Sequence, residues 1–281
     1  MIRQKSFECE VATLYLVPTP IGNLQEMTTR ALDILQKVDM IACEDTRNTK
    51  KLLMAYSIDK PLISHHEHNQ ATSIPYILTK LEDGNSIAVV SDAGYPLVSD
   101  PGQGLVKAVI EKGYPVVPVS GANAAMNALV ASGLSCQHYM FYGFLENKST
   151  KRIKQLETLK TFPYTIIFYE APHRIDVMLQ DVLDVMGDRN ICLARELTKI
   201  HEEFIRGKIS EVLEIVDSLK GEMVVIVEGY VEKEQELDWG KLFDKVHQYV
   251  DEGMKTKQAI QLVSKECNVS KNELYEAYHK Q

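Results

Sequence analysis

Asp92, Ser99 and Asp100 fall within one short segment, Ser91-Asp92-Ala93-Gly94-Tyr95-Pro96-Leu97-Val98-Ser99-Asp100-Pro101-Gly102, that contains no cation. Carboxylates and a hydroxyl in such a setting can accept a proton or hydrogen-bond the amine and hydroxyl groups of a ligand. Gly94, Gly102, Pro96 and Pro101 fix an unusual backbone path, and the small side chains between them let a ligand approach the main chain. A structural role competes at Asp100-Pro101: Asp before Pro also reads as a helix N-cap with proline at the first helical position, the helix then ending at Gly113. The segment has neither G-x-G-x-x-G spacing nor a closing Gly-Lys pair. It therefore suits a cofactor whose reactive part is not a phosphate.

Further groups recur at similar places. Ser120-Gly121-Ala122-Asn123 offers small residues and free backbone N–H groups before an alanine-rich helix, and Pro18 to Asn23 can form a third wall. Glu170, His173 and Arg174 cluster in Tyr169-Glu170-Ala171-Pro172-His173-Arg174, with Pro172 placed for a first helical turn. Arg195, Glu196, Lys199, His201, Glu202 and Glu203 make a second charged group, which as a surface turn would be simply ion-paired. Lys148, Lys151, Arg152 and Lys154 form a basic cluster after Tyr142-Gly143-Phe144; it is either a solvated helix face or a phosphate-backbone contact. His65-His66-Glu67-His68 lacks metal-ligand spacing and reads as a polar loop, so no metal is expected.

These residues stand at the ends of predicted strands. Leu14–Val17, Met40–Cys43, Leu62–Ser64, Ile87–Val90 and Val116–Val119 alternate with helical patterns, which predicts a mostly parallel sheet covered on both faces. Tyr139–Phe141, Thr165–Tyr169, Ile191–Ala194, Glu203–Arg206 and Met223–Val227 lie too close in places for crossover helices, and Ile191–Arg206 reads as a hairpin, so a mixed sheet is expected. The expected organisation is an N-terminal extension (1–12), two α/β domains (13–134 and 135–230), a charged linker and a helical tail (238–281). In the tail, Ala259, Ile260, Leu262 and Val263 form one stripe, and Ser270 with Glu273 makes a capping box before Leu274, Tyr275 and Tyr278. The tail is a small bundle or a helix-turn-helix, with Lys255, Lys257, Lys265 and Lys271 available to nucleic acid.

A chain of 281 residues can bury enough surface to need no disulfide or structural metal. Its 5 scattered cysteines, without C-x-x-C spacing, point to reduced thiols in the cytoplasm. No leader or membrane span is legible. A net charge of −8 means that any nucleic-acid contact requires a local basic face.

Val17 to Leu24, Glu44-Asp45-Thr46-Arg47, Ser91 to Gly102, Tyr169 to Arg174 and Ala194 to Glu203, in this order, resemble the tetrapyrrole-methylase superfamily of S-adenosylmethionine-dependent methyltransferases, and within it the branch that methylates ribose in small-subunit ribosomal RNA. The resemblance spans about Leu14 to Gly229; Tyr95 departs from the small residue expected there and narrows the pocket. It implies two α/β domains with S-adenosylmethionine between them, a homodimer, and a cytidine ribose of the 16S decoding region as acceptor. It places the cofactor against Ala93, Gly94, Tyr95, Val98 and Ser99, the Ser120-Gly121-Ala122 turn, Tyr142, Ala194 and Met223. The candidate catalytic residues are Asp100, Glu170 and Arg195, the carboxylates as general bases and the arginine as a phosphate anchor. Asn23, Arg47, Lys148, Lys151, Arg152, His173 and Arg174 are the candidate RNA contacts. Two other readings stay open: a methylase of the same superfamily acting on a small molecule or a protein side chain, and a cofactor-binding regulator without catalysis.

Overall fold

The computed structural model describes residues 3–6, 11–99, 102–232, 238–267 and 269–280. The chain divides after Tyr230 into two compact units. The first holds two five-stranded sheets. Strands β1 (Leu14–Leu16), β2 (Met40–Cys43), β3 (Leu62–Ser64), β4 (Ile87–Val90) and β5 (Val116–Pro118) pair in the order β3-β2-β4-β1-β5, every pair parallel. Between and after them run α1 (Thr29–Lys37), α2 (Thr46–Ala55), α3 (Gln70–Glu82), α4 (Gln103–Glu111) and α5 (Ala124–Ala131). All four residues of β4 are buried, as a central parallel strand with both faces covered requires. Leu35, Ile41, Ala88 and Val90 pack on one face, while Leu14, Ile77, Val89 and Leu105 pack on the other. Because the strands are parallel, the loops after β1, β4 and β5 leave the same edge, where such sheets bind ligands.

The second sheet contains β6 (Tyr139–Phe144), β7 (Thr165–Glu170), β8 (Asn190–Arg195), β9 (Glu203–Lys208) and β10 (Met223–Val227), ordered β6-β7-β10-β8-β9. Only β6 and β7 are parallel; the remaining pairs are antiparallel, and β8–β9 is the expected hairpin. Helices α6 (Ser149–Leu159), α7 (Ile175–Met186) and α8 (Ile209–Leu213) cover one face, where Leu156, Met178, Leu179 and Val182 surround Phe168. Antiparallel pairing sets Met223, which opens β10, opposite both Glu170 and Arg195, which close β7 and β8.

Helix α5 lays Ala125, Ala128 and Leu129 against Ile167, Cys192, Ala194, Val224 and Ile226 of the second sheet. Its small side chains fit either sheet, and the tertiary partner decides. Arg206 fastens the arrangement by donating to the carbonyls of Ala131 and Ser132 at the helix end.

The second unit contains α9 (Trp239–Asp251), α10 (Thr256–Glu266) and α11 (Lys271–His279), closed around Leu242, Val246, Ile260, Val263 and Leu274. Ser270 caps α11 by accepting from the Glu273 N–H, while Tyr275 stays outside the core. Among the described residues, no helix is long and apolar enough to cross a membrane.

Candidate functional site

A cleft of about 400 Å³ opens in the first unit between the loop edge of the parallel sheet and the ends of β6, β7 and β10. Its first wall is the loop after β4. Thr19 and Gly94 exchange backbone hydrogen bonds (2.9 and 3.0 Å), the Thr19 hydroxyl donates to the Ser91 carbonyl, and the Ser91 hydroxyl donates to the Gly94 carbonyl. Gly94 takes φ +75°, and a Cβ there would meet Ile21 at 3.5 Å. Leu97 and Ser99 also hold left-handed φ values of 73° and 65°, an uncommon conformation for non-glycine residues that clusters at ligand sites. The Tyr95 hydroxyl accepts from the Gly121 N–H at 3.1 Å, so this departure from a small residue ties the β4 and β5 loops together.

The opposite wall carries Glu170, which is 3% exposed. Its Oε1 accepts from the Ala171 N–H and from Arg174 Nε, while Oε2 is buried without a hydrogen-bond partner. The β8–β9 turn closes the side. Glu196 and Thr198 adopt φ +50° and +68°, Leu197 lines the cleft, and Gly22 lies so close that a Cβ would come within 2.5 Å of Lys199 Cγ. At the far end Gly143 (φ +81°) lets β6 approach the Ser99 hydroxyl, 3.3 Å from where a Cβ would stand.

The predicted site residues divide. Ala93, Gly94, Tyr95, Val98, Ser99, Glu170 and Met223 line the cleft. Asp100 and Pro101, and with them the expected Asp-Pro cap, lie outside the described residues; helix α4 starts at Gln103 with Gly102 as N-cap. Ser120, Gly121 and Ala122 stand just short of the wall, and the next residues, Asn123 and Ala124, line it instead. Ala194 is fully buried against α5. Tyr142 packs with Phe168 in the core on the other face of the sheet, while Phe144 reaches the cleft. A register shift at Phe141/Gly143 resets the alternation of β6, and no side-chain pattern announces it. Asp92, from the carboxylate-bearing loop, also lines the cleft, as do Tyr169, Leu197 and Glu222; the charged motifs around the last two are the signal that could have located them.

The cationic candidates also separate. Arg195 is not in the cleft wall: it pairs with Glu203 across the hairpin and donates to the Lys220 carbonyl. Arg174 is committed to Glu170, His173 is exposed, and the helix beyond them starts at Ile175, after a turn containing Pro172. Asn23 caps a short 3-10 turn, and Arg47 is 84% exposed and paired with Asp45, whose carboxyl it holds well below the usual range by hydrogen bonding. Arg152 is not part of a basic surface. It is 3% exposed, bonded to Asp181 and to the Asn147 carbonyl, because α6 turns it toward α7. Lys148, Lys151 and Lys154 remain exposed. If this face contacts a phosphate backbone, each of these lysines changed to alanine will reduce the salt dependence of that binding by about one counterion. Arg152→Met should instead lower the thermal midpoint and leave the salt slope unchanged.

His65 is buried, its Nδ1 2.8 Å from the Ser73 hydroxyl. Burial, with His66 adding to it, holds its pKa below 6.5. Folded protein then binds fewer protons than unfolded protein, so the stability contributed by neutral His65 is complete above about pH 6.5 and lost as pH falls below it. Thermal midpoints should decline with acidification from there, less steeply in His65→Gln. Among the described residues, no three His, Cys, Asp or Glu side chains gather as a metal-binding group.

Comparison with known proteins agrees with the fold and motifs. Residues 13–213 match the family described as tetrapyrrole (corrin/porphyrin) methylases. The chain is 49% identical to "Ribosomal RNA small subunit methyltransferase I" of Bacillus subtilis (strain 168), covering 99% of this chain and 98% of that one. It is 40% identical to the protein of the same name from Micromonospora olivasterospora, covering 96% and 87%. Among solved structures, a cobalt precorrin-4 methyltransferase superposes with TM-score 0.60 at 14% identity, over 77% of this chain and 94% of that one. A diphthine synthase gives TM-score 0.60 at 10% identity, over 79% and 92%. The two paired sheets, the loop that follows β4 and a family match across most of the first unit place this chain in the tetrapyrrole methylase family.

Proposed function

We propose that this chain is an S-adenosylmethionine-dependent methyltransferase that modifies the ribose 2′-oxygen of a cytidine in the decoding region of small-subunit (16S) ribosomal RNA. The observation that carries the reading is Glu170, a buried carboxylate with one oxygen unpartnered in the wall of the cleft, in a chain nearly half identical to a small-subunit rRNA methyltransferase.

The cleft fits the cofactor by three features. Gly94, at φ +75°, holds a left-handed backbone that side chains rarely adopt and leaves its main chain open; Val98, Leu197, Met223 and Val224 supply apolar surface; and Asp92 supplies negative charge for a cation. When bound, S-adenosylmethionine supplies an electrophilic methyl group on a sulfonium. The protein's task is then positioning, because in-line displacement rewards alignment of nucleophile and leaving group. A ribose 2′-hydroxyl is a weak nucleophile at neutral pH and gains from a base within hydrogen-bond reach. Glu170 Oε2 is the acceptor for that proton, while Arg174 and the Ala171 N–H hold Oε1 and keep the carboxylate from rotating. Exposed Lys148, Lys151 and Lys154 supply the positive surface that an acidic chain needs for RNA.

The test is incubation with methyl-labelled S-adenosylmethionine and unmodified small ribosomal subunits, followed by digestion to nucleosides. Label in 2′-O-methylcytidine is the expected result; label in another nucleoside, in protein or nowhere rejects the proposal.

A further inference from the structure

The lysines of the second unit fall into two sets. Lys241, Lys245 and Lys280 are ion-paired with Asp238, Glu266 and Glu276. Lys255, Lys257 and Lys265 are exposed on or beside α10, and among the described residues none of them enters an ion pair. Lys271, which opens α11, donates to the neutral Gln261 of α10 at 3.4 Å. Lys257, Gln261 and Lys265 recur every fourth residue, so they share one side of the helix over about 12 Å. The acid of α10, Glu266, turns away from them, to the Tyr249 hydroxyl (2.9 Å) and Lys245 of α9.

Folding does not account for this placement. The core of the unit closes through Ala259, Ile260 and Val263 on another side of α10. Cations are unfavourable at a helix N-terminus, yet Lys255 is the N-cap of α10, Lys257 lies in its first turn and Lys271 begins α11. The Lys255 side chain caps nothing, whereas Asp238 and Ser270 cap α9 and α11. An anion outside the chain would relieve the repulsion that these lysines create.

The chemistry of the face narrows the choice of anion. Gln258 and Gln261 are exposed beside the lysines, and Leu262 is half-buried. Helices that lie on membranes turn an apolar stripe outward, and surfaces that stack bases present aromatic rings; α10 does neither. Spaced cations with amide donors between them suit a phosphate backbone held without regard to base sequence. We infer that Lys255, Lys257 and Lys265, with Lys271 beside them, form a docking surface for the phosphate backbone of ribosomal RNA. The inference rests on the proposed action on small-subunit RNA.

The experiment measures binding of unmodified small ribosomal subunits by the full-length chain across a series of salt concentrations. Wild type is compared with Lys255→Gln/Lys257→Gln/Lys265→Gln and with a control, Lys241→Gln/Lys245→Gln/Lys280→Gln, whose lysines are already neutralised by carboxylates. The first variant is expected to lower the slope of log affinity against log salt by about 2–3 and to raise KM for subunits about tenfold. Its thermal midpoint and S-adenosylmethionine affinity should match wild type. The control should shift the slope by less than about 1. A slope unchanged in the first variant, or lowered equally by the control, with wild type active in transfer, overturns the surface alone. Equally tight, lysine-dependent binding to phosphatidylglycerol vesicles assigns the face to a membrane and also overturns it. No transfer by the wild type overturns the proposed activity, and this assignment with it.

Discussion

Glu170→Gln is expected to lower kcat/KM by about 10²–10⁴-fold, the usual range for removing a general base, with a smaller loss of folding stability than Arg174→Met, because the guanidinium it leaves unpaired is partly exposed. Glutamine keeps the shape and retains a carbonyl oxygen for the Ala171 N–H and for Arg174, the two partners of Oε1. What it removes is the lone acceptor on the unpartnered Oε2 side, where an amide N–H₂ donates instead of accepting. Cofactor affinity, measured by calorimetry without RNA, should change much less than the rate of transfer. A variant with full activity would mean that alignment alone carries the reaction and that the carboxylate is structural.

Arg174→Met is expected to destabilise the first unit by about 3–5 kcal/mol, because it leaves a buried carboxylate without its cation. The Glu170 side chain is 1% exposed and that of Arg174 16%, so water cannot readily replace the guanidinium. Thermal unfolding followed by circular dichroism reads the effect. The double variant Glu170→Gln/Arg174→Met should recover part of the loss, since the remaining amide carries no charge to strand. Equal midpoints for wild type and Arg174→Met would show that the pair contributes nothing. The same substitution should also depress transfer, because Glu170 would be free to swing from the cleft.

Much of this architecture is legible in the residues. Strands β1 to β10 follow from short β-branched or aromatic runs bounded by turn residues, and the change from parallel to mixed pairing follows from the short spacing between Ile191 and Arg206. The loop after β4 and Glu170 are legible as chemistry because small residues or charges at strand ends rarely serve the core. What stayed hidden depends on tertiary choice. Alanines in α5 suit either sheet, and only the assembled fold assigns them to the second. The irregularity at Gly143 exchanges Tyr142 for Phe144 at the cleft, and the glycine alone does not reveal its direction. Arg152 looks like its lysine neighbours in sequence, yet its helical phase turns it toward Asp181. Arg195 lies at a strand end beside Glu170 through their shared partner Met223, but its hairpin partner Glu203 takes it away from the wall.

The most direct measurement is alkaline hydrolysis of 16S ribosomal RNA recovered after reaction of purified protein with unmodified small subunits, because a methylated 2′-oxygen can no longer attack its own phosphodiester. One new resistant bond is expected, on the 3′ side of a cytidine in the decoding region, present with wild type and strongly reduced with Glu170→Gln. Methyl incorporation into that RNA without any resistant bond would place the methyl group on a base and contradict the account.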